Sequence, residues 1–302
     1  MKSNNSIYSL IISAALFFTS CEKSINVNVP PQVSRLTGAI TCEVGTPLYV
    51  TVGRTAKLTE SAINTDLSIR NAQISVYEDD VLAETLVFDS LTYRYPSATV
   101  TRPGHRYKVR IAAPGYEDAE ATETAPTLVP ITRVERQYDV RSMDGNKQDA
   151  VILTFTDPPT TNDHYVIAIT GPQDSFQYHG DFCVYSPDPA VESPQEDVTE
   201  GSVCLHSYGI FLRDIIFNGQ ERAVKFYVDG GSLGPYYNGT DSIYAHITLW
   251  HVSEAYYRHL QTLQVAFDAG NNPFAEPVNV HTNFTNGYGI FAIIAMEDRE
   301  IR

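Results

Sequence analysis

The segment Arg102-Pro-Gly-His-Arg-Tyr-Lys-Val-Arg-Ile-Ala-Ala-Pro-Gly-Tyr116 constrains the fold of this chain more than any other stretch. Tyr107, Val109 and Ile111 alternate with Lys108 and Arg110, which puts the apolar side chains on one face of an extended strand. A Pro-Gly dipeptide lies at each end, where the fixed φ of proline and the freedom of glycine favour a tight turn. Leu48-Tyr-Val-Thr-Val52 and Ala72-Gln-Ile-Ser-Val-Tyr77 repeat the short alternating pattern. From Arg35 to about Ala125 the chain therefore predicts strands separated by turns. Composition agrees, because Tyr (19) dominates over Trp (1) and charged residues are only 19%. That suits strands whose outer faces carry Thr, Ser and Tyr.

The Pro-Gly…Gly-Tyr segment resembles the transthyretin-like and carboxypeptidase-regulatory-like sandwiches. The resemblance implies an immunoglobulin-like β-sandwich of seven or so strands over residues 35–126.

Glu123-Thr-Ala-Pro-Thr-Leu-Val-Pro130 reads as a linker into a second module, residues 127–302. There Ile131–Val140 and Ala150–Phe155 restart the strand pattern, Asp157-Pro158-Pro159 breaks it, and Tyr165–Ile169 resumes it. The acidic, proline-rich stretch between Gly171 and Gly201 has no clear period and reads as a long surface loop. One helix is expected near 253–268, with Ser253 as N-cap and Tyr256, Leu260, Leu263 and Phe267 on its apolar stripe. Gly270 ends it. Pro277–His281 and Gly289–Ala295 read as strands joined through Asn286-Gly287, a hairpin signal. The expected fold class is mostly β: an N-terminal sandwich followed by a second β-rich domain carrying one helix.

The start of the chain fixes an address. Lys2 precedes an apolar run, Ile7–Phe18, and Thr19-Ser20 lead into Cys21. A run of about a dozen residues is too short to cross a bilayer, which takes roughly 20. The layout is that of a signal peptide, residues 1–20, cleaved so that Cys21 carries lipid. Residues 21–34, through Val29-Pro30-Pro31, then read as a tether. The net charge is 21 − 36 = −15. Such a chain is repelled by phosphate backbones, which argues against nucleic acid as a partner. Cys42 reads as a free thiol in or beside a strand. Cys183 and Cys204 flank a polar loop; as a disulfide they would contribute roughly 3 kcal/mol, and the alternative is two unpaired thiols.

Chemistry-bearing patterns are sparse. His246, His251 and His259 lie near Glu254, but their spacing does not set two imidazoles one helical turn apart, and they read as surface histidines. Gly230-Gly231-Ser-Leu-Gly234 lacks the Gly-Lys-Ser/Thr of a phosphate loop, and no Gly-x-Ser-x-Gly elbow occurs. Asp79-Asp80 and Glu196-Asp197 read as solvated acids in turns. No catalytic residue, metal site or cofactor is expected. Tyr236-Tyr237 and Tyr257 offer amphipathic rings for ligand or partner contact, against the plainer reading that such tyrosines pack on the core.

Four segments occur in order: Phe211-Leu-Arg-Asp-Ile-Ile-Phe-Asn-Gly-Gln220, Ser253-Glu-Ala-Tyr-Tyr-Arg-His-Leu260, Asn272-Pro-Phe-Ala-Glu-Pro-Val278 and Asn283-Phe-Thr-Asn-Gly-Tyr-Gly-Ile-Phe291. Together they resemble Bacteroidota lipoproteins of domain-of-unknown-function family 4249. The resemblance implies a non-enzymatic outer-membrane lipoprotein, anchored by an acylated cysteine and exposed at the cell surface. It further implies an accessory role to a TonB-dependent β-barrel receptor in ligand capture or uptake. The alternative is a structural or adhesive surface protein.

Overall fold

The computed structural model describes residues 33–57, 60, 65–141, 145, 147–159, 162–170, 184–192, 209–228, 236–237, 242–243, 245–270, 274–276 and 278–301. The chain is mostly β. Seven strands come first: β1 (Leu36–Glu43), β2 (Pro47–Arg54), β3 (Gln73–Glu78), β4 (Val81–Leu86), β5 (Tyr95–Val100), β6 (Arg106–Ala112) and β7 (Ala119–Thr124). The next are β8 (Ile131–Arg141), β9 (Lys147–Thr156), β10 (His164–Thr170), β11 (Val184–Tyr185), β12 (Val191–Glu192), β13 (Ile210–Arg213) and β14 (Glu221–Val228). Then follow β15 (Tyr236–Tyr237), β16 (Ser242–Ile243), β17 (Ala245–Val252), helix α1 (Glu254–Gly270) and β18 (Tyr288–Ile301).

One eight-stranded sheet, in the order β12-β13-β10-β17-β18-β1-β2-β5, forms a spine. Two four-stranded sheets, β4-β3-β6-β7 and β11-β14-β9-β8, cover one face of it. The period-2 alternation shows why. On β18, Phe291 and Ile293 join the core beneath the first small sheet, and Ile301 joins the core beneath the second. All three are odd-numbered and so point to the same side. Ile290, Ala292 and Ile294 point to the other side, where Tyr256, Tyr257 and Leu260 of α1 pack on them and on Val166, Phe211 and Val252.

β18 is the join between the two sandwiches. Residues 288–294 pair in parallel with β1, while 295–301 pair antiparallel with β17. The first sandwich therefore takes a strand from the far end of the chain, outside the 35–126 span the sequence suggested. Gly289 makes the close approach. Its φ is +113°, and a Cβ there would lie 1.9 Å from the Gly38 carbonyl oxygen. On β1 the bare Gly38 is covered by the Phe284 ring, whose Cζ would sit 2.5 Å from an added Cβ.

The Pro-Gly turns form as expected. Gly104 and Gly115 both adopt positive φ on either side of β6. Asp79 and Asp80, with φ of 48° and 67°, make the two-residue turn from β3 to β4. Asp79 accepts from the backbone N–H of Arg106, and Asp80 pairs with its guanidinium.

Elsewhere the structure departs from the sequence reading. The 123–130 connection is packed rather than loose: Glu123, Ala125 and Val129 are all buried, because each sandwich core claims one end of it. Residues 278–281 form no strand. The His281 carbonyl accepts from His259 Nδ1 at 2.6 Å, and the His281 N–H donates to Thr262 Oγ1 at 2.8 Å, so the segment docks on α1. Asn286-Gly287 then turns from a single bridge, Thr285 to Glu120, into β18 and closes no hairpin. Within the expected 171–201 loop, β11 and β12 add short edge strands to β14 and β13.

Candidate functional site: a buried carboxylate cluster

Three strand ends of the second sandwich bring Asp157, Asp163 and Asp214 together. Asp157 follows β9 where Pro158 and Pro159 stop the ladder. Its own N–H still donates to Gln220 O at 3.0 Å, which ties it to the turn before β14. Asp163 immediately precedes β10. Asp214 follows β13 and opens a 3-10 turn, Asp214–Ile216, whose first N–H donates to Asp163 O at 3.3 Å. One carboxylate oxygen from each lies within 4.8 Å of the others, and all three residues are at most 5% exposed.

Their partners differ. Asp157 Oδ1 accepts from the Tyr165 hydroxyl at 2.5 Å, and Oδ2 accepts from Gly219 N–H at 2.8 Å. Gly219 adopts φ +71° to make that approach. Asp163 Oδ1 lies 2.9 Å from His251 Nε2, and His251 Nδ1 lies 2.8 Å from Thr127 O. A carbonyl can only accept, so His251 Nδ1 carries a proton and donates to Thr127 O, while Nε2 faces Asp163. Asp214 Oδ2 is buried and has no hydrogen-bond partner among the described residues.

The surroundings are aromatic. Phe155, Tyr165 and Phe217 pack with centroids 5.0 to 6.3 Å apart, and the Tyr165 ring lies 5.3 Å from that of His251. This apolar wall removes the water that would solvate the carboxylates. Burial accordingly raises the pKa of Asp157, and the Asp163 and Asp214 charges add to that. The bonds from Tyr165 and Gly219 pull the other way without cancelling it. Burial, together with Asp157, also drives the Tyr165 phenol well above its ordinary range, so it remains a donor. Asp163 and Asp214 open into a cleft of about 230 Å³, also lined by Asn162, His164, Arg213, Ile215 and Glu254. Arg213 pairs with Glu192, and Glu254 pairs with Arg258 at 2.5 Å.

Of the residues singled out from sequence, Cys21, Cys183 and Cys204 lie outside the described residues. Tyr236 and Tyr237 form β15, paired with β16; their side chains lie outside as well. Tyr257 is no contact surface. It is 2% exposed under α1, and its hydroxyl donates to Glu192 Oε2 at 3.0 Å. His251 is buried rather than on the surface, and His259 is half-buried. Burial lowers the His259 pKa. Cys42 is a buried free thiol in β1. Ser253 caps α1, its Oγ accepting from Tyr256 N–H at 3.3 Å.

Sequence reasoning passed over all three aspartates. Asp157 was visible only as a strand breaker, and Asp214 only as part of the Phe211–Gln220 segment.

Among the described residues no helix is long and apolar enough to cross a membrane. No curated protein matches the chain. A crystal structure described as a membrane anchored protein from Corynebacterium diphtheriae aligns at 12% identity and a TM-score of 0.22. That alignment covers 87% of this chain but 60% of the other, and a likeness so loose transfers nothing. The family model for Domain of unknown function (DUF4249) matches residues 23–300, nearly the whole length over which the spine sheet and its two covering sheets are built, and the chain belongs to that family.

Proposed function

We propose that this chain is a non-enzymatic lipoprotein of the cell envelope, held at the outer membrane through Cys21. In this reading it assists a TonB-dependent β-barrel receptor in ligand capture or uptake. Cys21 carries the reading: it closes the apolar run Ile7–Phe18 and stands fifteen residues before the first strand at Leu36. The double sandwich is a fitting load for such a tether. Its two halves share β18, so a ligand or partner held at one end stays in fixed relation to the other. Tyr236 and Tyr237, on the separate two-stranded β15–β16 sheet, are the proposed contact residues.

Labelling cells with a palmitate analogue should mark the wild-type chain and leave Cys21→Ala unmarked; equal labelling of both would remove the anchor. Affinity capture under mild detergent should then recover a β-barrel in near-equal amount, less of it with Tyr236→Ala/Tyr237→Ala. Recovery of no barrel, with deletion abolishing surface attachment rather than uptake, would replace this reading with the adhesive one.

A further inference from the structure

We propose that Asp157, Asp163 and Asp214 bind one calcium ion that staples the two sheets of the second sandwich together. Three carboxylates without a cation would be a costly thing to bury, since each loses its hydration and repels the others. Among the described residues, the His251 ring lies 2.9 Å from Asp163 Oδ1 and is anchored on its other side by Thr127 O. A divalent cation held among the three side chains would relieve that repulsion. Of the other residues lining the cleft, Arg213 pairs with Glu192 and Glu254 with Arg258.

The second observation is independent of charge. Asp214 is 1% exposed, and its Oδ2 has no hydrogen-bond partner among the described residues. A buried carboxylate oxygen in that state forfeits the stabilisation that nearly all buried polar atoms obtain. A cation shared with its two neighbours supplies it.

Geometry and donor type select the ion. Calcium–oxygen distances run about 2.3–2.6 Å, so oxygens on opposite sides of one ion stand roughly 5 Å apart. The 4.8 Å limit on the cluster lets one ion reach all three residues without moving the backbone. The donors are hard oxygens, and both nitrogens of His251 are occupied by Thr127 and Asp163, which disfavours zinc. Calcium needs more oxygens than three, and the cleft that reaches Asp163 and Asp214 gives water a way to complete the shell. Magnesium demands a tighter octahedron and is the weaker candidate.

The consequence is mechanical. Asp157 extends β9 of the small sheet, whereas Asp163 and Asp214 flank β10 and β13 of the spine. One ion would hold both layers at the end facing the N-terminus of α1. None of this depends on the lipid anchor or on a receptor.

Terbium(III), a luminescent stand-in for calcium, tests it on the full-length chain in detergent. Tyr165 bonds directly to Asp157 and should sensitise terbium emission on ultraviolet excitation. The expected result is emission saturating at one ion per chain, displaced by calcium at lower concentration than by magnesium. Calcium at a hundredfold excess over its Kd should also raise Tm by roughly 5 °C over the chelated protein. Asp214→Asn should weaken calcium at least tenfold, while Glu254→Gln should leave it unchanged. Should Asp214→Asn fail to fold, the wild-type titration still decides. No saturable emission and no calcium-dependent Tm in the wild type would overturn the site, as would equal calcium binding by a folded Asp214→Asn chain.

Discussion

In the first sandwich the two largest buried phenols reach out of the core. Tyr95 donates to Ile69 O at 2.9 Å, and Tyr107 donates to Glu78, whose side chain is 20% exposed. In the second sandwich the corresponding phenol, Tyr165, reaches inward to Asp157, which is 1% exposed and stands beside two more buried acids. The difference is one of design load. Apart from Glu123 at its seam, the first core keeps its charges at the rim, where apolar burial stabilises at roughly 25 cal/mol per Å². A core that encloses carboxylates holds only if something compensates them.

The strand shared by both halves is where the comparison can be broken most severely. Gly289→Ala drives a Cβ into the Gly38 carbonyl at a φ that disfavours L side chains. It should cost more than about 4 kcal/mol and leave little folded chain by urea denaturation. Gly45 also has positive φ, +86°, but an added Cβ meets nothing within 4 Å. Gly45→Ala should cost only about 1–2 kcal/mol. Equal costs would mean that the β1–β18 approach is not what joins the halves.

Next in size are two truncations on the same strand. Phe291→Ala empties the first core by about 3–5 kcal/mol, and Ile301→Ala the second by about 2–5 kcal/mol. Hydrogen exchange should show β6 and β1 loosened by the former and β9 and β14 by the latter. Uniform loosening by either variant would make the sandwiches one cooperative unit and dissolve the contrast.

The contrast also marks how far the sequence could be read. The first sandwich was legible because its turns are spelled out: Pro103-Gly104, Pro114-Gly115 and Asp79-Asp80 each bend the chain where the pattern breaks. The division of β18 was not, since nothing in Gly289–Ala295 says that half a strand serves one sandwich and half the other. The helix was placed correctly, but its buried face was not: Tyr257 and Gln264 point in, and Phe267 is 59% exposed. Only the first turns of α1 cross the apolar face of the spine, so the stripe loses its partner before Phe267. The aspartates were illegible because Asp214 stands far along the chain from Asp157 and Asp163, and an acid at a strand end is ordinary.

Glu123 sharpens the comparison at the seam. It closes β7 of the first sandwich and accepts from Ser253 Oγ at 2.7 Å, the cap of the helix behind the spine. Burial pushes its carboxyl up from 4.5 to about 7, against the pull of Ser253 and the Thr124 N–H. Between pH 4.5 and 7 the native chain therefore holds a proton that the unfolded chain releases. Stability from this group is fully present below pH 4.5 and is lost as pH rises to 7, by at most about 3 kcal/mol. Glu123→Gln should match the parent near pH 4.5 and exceed it at pH 8, by urea midpoints. A parent no less stable than the variant at pH 8 would mean that the seam solvates its charge.

The smallest effect concerns a single thiol on the first sandwich. Cys42 is 6% exposed on β1, and burial, with the Glu123 charge adding, raises its pKa to about 12. At pH 8 its thiolate population is then on the order of a thousandfold below that of a free cysteine. Iodoacetamide labelling, read at the Cys42 peptide by mass spectrometry, should be slower than in the urea-unfolded chain by at least that factor. What labelling remains must pass through opening of β1 from its neighbours, so its rate measures the local stability of a core without a cluster of buried acids. Chelating divalent cations should therefore leave that rate nearly unchanged if the halves open separately. A chelator that speeds Cys42 labelling as much as it lowers Tm would show that the second sandwich, through β18, holds the first one closed.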